Sequence, residues 1–225
     1  MRVAILICFI LLSLISLSQE SELLKRVINK INQIEDYVVD VKISADIPMI
    51  NILPSNAKVY FKKNDKFKIK SKGIVILPKQ GLNDLNNFIA KKNNYISIDG
   101  ANQKLRNIET KLITLIPTKN DDDIILAKIW VDINKELIVK TILTNRSSGT
   151  VEINYYYDDN SNYPLPKKIK LKVDVKEFII PKSFGTNINK KKSNNKKNTR
   201  KNGIIIIDFT NYNINSGLSD NLFIK

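Results

Sequence analysis

The sequence predicts a mainly β fold with helices, in which an antiparallel sheet curls around its own dry face. Two observations predict this fold class. Short runs of alternating apolar and polar residues recur over 57–175, separated by turn-forming residues. Apolar residues at helical spacing occur near the N-terminus and again over 82–89. A sheet with one dry face must cover it, and the two predicted helices are suited to do so.

The first eighteen residues have the pattern of a secretory signal peptide. Arg2 precedes an apolar run over 3–15, and small residues follow at Ser16 and Ser18. The run is shorter than the roughly 20 apolar residues of a membrane span, and an uncleaved anchor is the alternative interpretation. We therefore expect a signal peptide over 1–18, a periplasmic location and one domain over 19–225.

The composition argues against most catalytic chemistry. There is no His, and the one Cys, Cys8, lies in the signal segment. The mature chain therefore has no nucleophile that depends on His or Cys, no usual zinc ligand set, no thiol redox couple and no disulfide. The Asp clusters at 121–123 and 158–159 are interpreted as solvated turns. A calcium loop is the alternative, but the regular oxygen spacing and Gly of an EF-hand are missing. We expect no enzyme activity, cofactor or metal, and an enzyme that uses carboxylates or Lys is the remaining catalytic alternative.

The predicted elements begin with a helix. Residues 20–36 predict an amphipathic helix, whose apolar face carries Leu24, Val27, Ile28, Ile31 and Ile34. The period then changes to two. Residues 57–63 and 66–71 predict a hairpin about an Asn64-Asp65 turn, with Val59, Phe61, Phe67 and Ile69 on its dry face. Helical spacing of Leu82, Leu85, Phe88 and Ile89 predicts a short helix over 82–89.

Strands dominate the rest of the chain. Residues 95–98 predict a brief strand that ends at Asp99-Gly100, and 101–118 is ambiguous, with a strand-like pattern over 112–116. Further strands are predicted over 124–133, 136–144, 150–158 and 167–175, with hairpin turns at 134–135 and 147–149 and a longer loop over 159–166. The clearest alternation is in 167–175, where Ile169, Leu171 and Val173 face one way and Lys168, Lys170 and Lys172 the other.

A basic run, KKKSNNKKNTRK, interrupts the last predicted strands, 176–182 and 203–212. The whole chain is also basic, with 37 Lys and Arg against 22 Asp and Glu. We expect a basic hairpin loop over 188–202. It is interpreted as a solvated loop, as a contact with an anionic membrane or a partner, or as a nucleic-acid contact. The run lacks an aromatic residue to stack on a base, and we expect no nucleic acid. Its contact candidates are Lys190, Lys191, Lys192, Lys196, Lys197, Arg200 and Lys201.

Three segments of the sequence, taken together, match a known family. The first is the leading helix and strand, LLKRVINKINQIEDYVVDVKI, and the second is the Trp-x-Asp strand with its partners, AKIWVDINKELIVKTILT to PLPKKIKLKV. The third is the ending, GIIIIDFTNYNINSGLSDNLF. In these segments the chain resembles the LolA/LolB-like family of outer-membrane lipoprotein-sorting carriers. The resemblance covers most of residues 20–225 in the same order. It implies an incomplete antiparallel β-barrel, a curled sheet closed by an α-helical lid over an apolar cavity.

The family resemblance also implies a function and a site. We expect a periplasmic carrier that holds the acyl chains of lipoproteins or other envelope lipids and moves them towards the outer membrane. An envelope lipid sensor or interaction module of the same fold, which regulates a partner, is the alternative. Expected partners are lipoprotein acyl chains or phospholipid, an inner-membrane transporter, an outer-membrane acceptor and an anionic membrane surface, and the carrier is expected to be a monomer. The lipid-cavity candidates are Val59, Phe61, Phe67, Ile69, Ile169, Leu171, Val173, Ile205, Ile207 and Phe209, and the lid candidates are Leu24, Val27, Ile28 and Ile31.

This chain departs from the family pattern in two places. The family often has a Pro shortly after the Trp-x-Asp segment, where this chain has Glu136-Leu137-Ile138. The family's lid-latching Arg matches no Arg of this sequence. The absence of a lipid-attachment motif leads us to expect a soluble carrier and not a lipid-anchored acceptor.

Overall fold

One antiparallel sheet forms most of the structure, a computed structural model that describes residues 21–48, 50–64, 66–71, 85, 88–89, 94–119, 123–147, 149–159, 163–174, 189–190 and 202–224. The elements are α1 (Glu22–Ile31), β1 (Asp36–Ile47), β2 (Ile50–Lys62), β3 (Lys66–Ser71), β4 (Tyr95–Leu105), β5 (Ile108–Pro117), β6 (Ile124–Asp132), β7 (Leu137–Asn145), β8 (Gly149–Tyr156), β9 (Lys168–Asp174), β10 (Asn189–Lys190), β11 (Asn202–Ile214) and a 3-10 helix (Asp220–Phe223).

The strand order is β10-β2-β1-β11-β9-β8-β7-β6-β5-β4, and β3 also pairs with β2. Most neighbours are consecutive in sequence, as in a meander. The exceptions are β10, which pairs with β2, and β11, which lies between β1 and β9. Among the described residues β4 pairs only with β5, and the sheet is not closed into a barrel. This confirms the predicted fold class of a curled, incomplete antiparallel barrel with a helix.

Alternating side chains give the sheet one buried face. In β9, Ile169, Leu171 and Val173 are 3% exposed or less, whereas Lys168, Lys170 and Lys172 are exposed. Strand β11 repeats the pattern through Ile205 and Ile207, which are fully buried opposite β9. Burying one such side chain contributes about 1.5–3 kcal/mol, so the shared dry face supplies most of the stability of the sheet.

Helix α1 covers this dry face. Its apolar side chains Leu23, Leu24, Val27 and Ile28 are buried in the same cluster as the inward residues of the sheet. The Ser21 hydroxyl caps the helix by accepting a hydrogen bond from the Leu24 N–H at 3.4 Å. The helix ends at Ile31, five residues before the predicted end, because the chain turns at Asn32 and enters β1 at Asp36. Leu85, Phe88 and Ile89, from the second predicted helix, have helical backbone and are buried in the same cluster; Leu82 lies outside the described residues.

The first part of the meander agrees with the sequence except at β4. The predicted hairpin of β2 and β3 is confirmed, with Lys62 opposite Lys66. The prediction that the next strand ends at Asp99-Gly100 is wrong, because β4 continues to Leu105 through a register shift between Asp99 and Asn102. Gly100 lies in a β-bulge at this register shift. Its lack of a Cβ suits the position, because a Cβ there would come within 3.2 Å of Leu112.

The turn that follows β4 lies instead at Arg106-Asn107. Both residues have positive φ, 50° and 63°, between the paired residues Leu105 and Ile108. Two successive left-handed residues are the geometry of the tightest hairpin turn. The ambiguous stretch 101–118 is therefore the second half of β4, this turn and β5.

The ends of the basic run do not pair with each other. Asn189 and Lys190 pair with Asn51 and Ile50 of β2, whereas Asn202 pairs with Asp174 of β9. The described residues therefore differ from the expected simple hairpin, because the chain crosses from β9 to the far edge of the sheet before it returns as β11. The remaining contact candidates, Lys191, Lys192, Lys196, Lys197, Arg200 and Lys201, and the predicted strand over 176–182 lie outside the described residues.

The predicted acidic turns make local contacts. Asp123 accepts hydrogen bonds from the Ser147 N–H at 3.0 Å and hydroxyl at 2.6 Å. Asp158 and Asp159 pair at 2.6 Å with Lys167 and Lys135. Asp121 and Asp122 lie outside the described residues, among which no cluster of three acidic, His or Cys residues suits a metal ion. Within the same described ranges, no helix is long and apolar enough to cross a membrane.

The segment after β11 is tied back to the start of β1. The buried Asp36 carboxylate accepts hydrogen bonds from the N–H groups of Ser216, Gly217 and Leu218 at 2.8, 2.9 and 3.0 Å. Farther on, Asp220 pairs with Lys62 and Lys66, each at 2.7 Å. The Asn-x-Gly-Leu-x-Asp ending therefore forms a strap along the β2–β3 hairpin.

Candidate functional site

An apolar cavity of about 130 Å³ lies between α1 and one end of the dry face of the sheet. Its walls are formed at one end of the sheet, by the first residues of β1, β7 and β9 and the last residues of β2, β8 and β11. On the same scale one water needs roughly 10–15 Å³, so the cavity has room for on the order of ten water-sized spheres. This is enough space for part of a flexible apolar chain.

Half of the predicted cavity residues reach this space. Val59, Phe61, Phe67, Ile169 and Phe209 line it. The other predicted residues pack elsewhere: Leu171, Val173, Ile205 and Ile207 are buried in the closed core, and Ile69 is packed partly buried against that core.

The lid candidates divide in the same way. Val27 and Ile31 line the cavity, whereas Leu24 and Ile28 are buried in the core cluster. The cavity therefore occupies one end of the curled sheet, and α1 with Leu85, Phe88 and Ile89 helps to fill the rest. Whether a given inward residue reaches the cavity depends on its position along the strand.

Four aromatic rings form a continuous wall of the cavity. Tyr37 stacks on Phe61 with 5.0 Å between ring centroids and meets Tyr212 edge-on at 5.8 Å. Tyr212 stacks on Phe209 at 6.0 Å. Offset and edge-to-face ring pairs of this kind contribute about 0.5–1.5 kcal/mol beyond their area. These ring contacts therefore hold the wall of the cavity in a defined arrangement.

The four tyrosines that line the cavity, Tyr37, Tyr155, Tyr157 and Tyr212, are half-buried, and their surroundings oppose ionisation. Burial raises the pKa of Tyr155 to about 12. It also raises the pKa values of Tyr37, Tyr157 and Tyr212 above their ordinary range. Two of the hydroxyls are tied to the backbone: Tyr157 donates to the Ile138 carbonyl at 2.8 Å and Tyr212 to the Pro166 carbonyl at 2.9 Å. These bonds leave apolar ring faces towards the cavity.

Glu136 is the one charged side chain among the described residues that line the cavity. It follows the β6–β7 turn, where Asp132 of the Trp-x-Asp segment accepts hydrogen bonds from the Asn134 and Lys135 N–H groups, both at 2.9 Å. The Glu136 carboxylate reaches α1, with Arg26 at 2.6 Å and Lys30 at 3.4 Å. Burial opposes its ionisation, but hydrogen bonds from Arg26 and Lys30 outweigh this and lower the pKa of Glu136.

Sequence reasoning missed thirteen of the lining residues. They are Ile34, Tyr37, Val41, Leu85, Glu136, Leu137, Ile138, Tyr155, Tyr157, Pro164, Leu165, Pro166 and Tyr212. A signal existed for some of them, because Tyr155 and Tyr157 alternate in a strand and a Pro-Leu-Pro segment follows. No periodicity identifies Glu136, because its place in the wall depends on the turn conformation.

Comparisons with known proteins agree on the fold. No family model matches the sequence, and no curated protein matches it significantly. A LolA superfamily protein from Nitrosomonas europaea is similar at 14% identity and a TM-score of 0.58, over 89% of this chain and 97% of that one. A DUF1329 family protein from Desulfovibrio piger is similar at 11% identity and 0.57, over 90% and 95%.

A third structure is a putative outer membrane lipoprotein-sorting protein domain from Vibrio parahaemolyticus. Its identity is 10% and its TM-score 0.54, over 90% of this chain and 94% of that one. At these identities the similarity concerns the fold and not the ligand. The predicted resemblance is confirmed at that level: this chain has a LolA-like fold.

Proposed function

We propose that this protein is a periplasmic carrier that binds the acyl chains of lipoproteins or other envelope lipids and moves them towards the outer membrane. The observation that supports this most is the apolar cavity between α1 and the sheet, within a LolA-like fold. Each methylene that enters such a cavity gains about 0.8 kcal/mol relative to water. An acyl chain that is only partly inserted into the cavity can therefore be held firmly and still be released to an acceptor.

The proposed carrier binds its lipid without covalent chemistry. Asp123 is engaged in a turn, and Asp158 and Asp159 are paired with Lys at the surface. The only carboxylate that lines the cavity, among the described residues, is paired with two cations. These contacts support a role for the carboxylates in local structure.

The test combines lipid identification with a variant that fills the cavity. The protein is purified from the envelope of its own host, and native mass spectrometry with lipid extraction identifies what accompanies it. Leu137→Trp places an indole at the cavity mouth, where the wild-type side chain is half-buried. Leu126→Trp is the matched control, because Leu126 is also half-buried in a strand but does not line the cavity.

We expect acylated proteins or lipids with the wild type and with Leu126→Trp, and their loss with Leu137→Trp at unchanged circular dichroism. Acylated proteins would support lipoprotein carriage. Free phospholipid would support a general lipid shuttle or the sensor alternative. A folded wild-type protein without any lipid would refute the proposal.

A further inference from the structure

Glu136 and its ion pairs lie where the cavity meets solvent, because Glu136 lines the cavity and its side chain is 24% exposed. A chain that enters the cavity leaves its headgroup at the mouth, and Glu136 is the charged residue of the described lining. Its partners Arg26 and Lys30 are on α1, with side chains 51% and 38% exposed. Both cations can therefore be reached from solvent while the chain occupies the cavity.

The backbone conformation at Glu136 places its carboxylate beside the two cations of α1. Glu136 has φ of 52°, a left-handed conformation that costs a non-Gly residue roughly 1 kcal/mol or more. Gly would relieve this strain, and Asn tolerates it better. The conformation directs the Glu136 side chain to Arg26 and Lys30, and an additional bond from the Lys30 ammonium to the Lys135 carbonyl, at 2.7 Å, fixes the same turn to α1.

Two further ion pairs lie next to the cavity lining. Lys135 precedes Glu136 and pairs with Asp159, and Lys167 follows Pro166 and pairs with Asp158. Asp132 of the same turn also attracts Lys135 electrostatically, so carboxylates balance these two cations. Arg26 and Lys30 instead share one carboxylate, that of Glu136, so an incoming anion meets two cations there.

We propose that Arg26 and Lys30 form the binding site for the anionic, phosphate-bearing headgroup of the lipid whose chain enters the cavity, and that Glu136 occupies this site until the lipid arrives. The inference rests on the proposed lipid-carrier function. The headgroup oxygens replace the Glu136 carboxylate on Arg26 and Lys30, and a guanidinium suits bidentate binding of phosphate. Headgroup exchange also releases the β6–β7 turn from α1, so that chain binding and loosening of the helix occur together.

Two single-chain probes with the same tail test the headgroup. Dodecyl phosphate and dodecyl maltoside, both below their micelle concentrations, are titrated calorimetrically into delipidated mature protein. The variants are Glu136→Gln and the double change Arg26→Gln with Lys30→Gln. Glu152→Gln is the matched control, because Glu152 also pairs with a Lys, Lys140 at 3.3 Å, but does not line the cavity.

We expect Glu136→Gln to bind dodecyl phosphate about threefold more tightly, the scale of a partly exposed ion pair, without a change for the maltoside. The double variant should bind dodecyl phosphate about tenfold more weakly, the scale of a charge-assisted hydrogen bond, again with the maltoside unchanged. Glu152→Gln should behave as the wild type. Inorganic phosphate alone should neither bind nor compete at the same concentrations.

Each other result would overturn the inference. Equal changes in the affinities for both probes would show that Glu136 serves only to hold α1 against the β6–β7 turn. Unchanged dodecyl phosphate binding in both variants would show that the headgroup binds elsewhere. Binding of inorganic phosphate as tight as that of dodecyl phosphate would indicate a site for free anions. If neither probe binds the folded wild type, the proposed lipid-carrier function fails, and the headgroup site fails with it.

Discussion

Replacing Asp36 by Asn should release the C-terminal strap and destabilise the protein at neutral pH. One carboxylate oxygen of Asp36 accepts from the Ser216 N–H and hydroxyl, and the other accepts from the Gly217 and Leu218 N–H groups. The Asn amide keeps one oxygen, and whichever way it turns, its NH₂ group faces two of the four groups that donate to the carboxylate. Two charge-assisted hydrogen bonds are lost, each on the order of 1.5–3 kcal/mol. Because the exposed strap can be rehydrated, we expect a net loss of about 2–4 kcal/mol.

The pH dependence gives a second measure of the same contact. Burial of Asp36 favours its neutral form, but hydrogen bonds from Leu218, Ser216 and Gly217 outweigh this and lower its pKa below the ordinary 3.8. A carboxylate with a lowered pKa contributes its full stability above its unfolded pKa and loses it as the pH falls through the folded one. The wild type should therefore lose stability below about pH 4, and Asp36→Asn should lose less over the same window.

Urea unfolding at pH 7 and at several values down to pH 3 measures both effects. Asp40→Asn is the matched control, since Asp40 lies in the same strand but pairs with Lys58 at the surface. We expect no resolvable change for this control. An Asp36→Asn protein within 0.5 kcal/mol of the wild type at pH 7 would refute the reasoning, because it would show that the strap contributes little to the stability.

Three further predictions concern the core, the cavity and the basic run. Leu171→Asp should prevent folding, because it places a charge at a fully buried position, whereas Lys170→Asp at the neighbouring exposed position should fold. Circular dichroism and thermal unfolding distinguish the two variants. A stable Leu171→Asp protein would mean that the buried face of β9 is wrongly assigned. In an alkaline titration monitored at 295 nm, Tyr37, Tyr155, Tyr157 and Tyr212 should ionise above the ordinary range of Tyr, and ionisation of all eight tyrosines within that range would contradict the prediction. Replacing the Lys residues of 190–201 by Gln should leave folding intact and weaken binding to anionic vesicles in a sedimentation assay, and unchanged binding would exclude a membrane role for the run.

The local pattern of the sequence predicts most elements because each depends on neighbouring residues. The alternation of β9 fixes which of its side chains are buried, and Leu24, Val27 and Ile28 fix the buried face of α1. The hairpin of β2 and β3 follows from two alternating runs and a short turn. These features survive tertiary packing because burial of the apolar face and the local backbone preference agree.

The errors arise where tertiary contacts override local signals. Asp99-Gly100 has the composition of a turn, but pairing with β5 continues across it as a bulge, and the real turn uses Arg106, a residue without turn preference. The sequence predicts the cavity residues from the face of the sheet on which they lie, and it does not predict their position along the strand. Ile169 and Leu171 have the same pattern, yet only Ile169 reaches the cavity. The covering helices fill part of the curled sheet, and their extent decides which end stays open as a cavity. The pattern of a single strand therefore does not predict the position of the cavity.

The central position of β11 has a consequence for the order of assembly. Among the described residues, the strands β1 to β3 on one side and β4 to β9 on the other are joined in the sheet only through β11, which follows all of them in the sequence. Its pairing with β1 links residues as distant as Asp40 and Thr210. Contacts across such a separation form slowly, since a long loop must be closed first. Until β11 has been synthesised, the inner edges of β1 and β9 lack their native partner, so the two groups of strands can form one sheet only after residue 214 has been added.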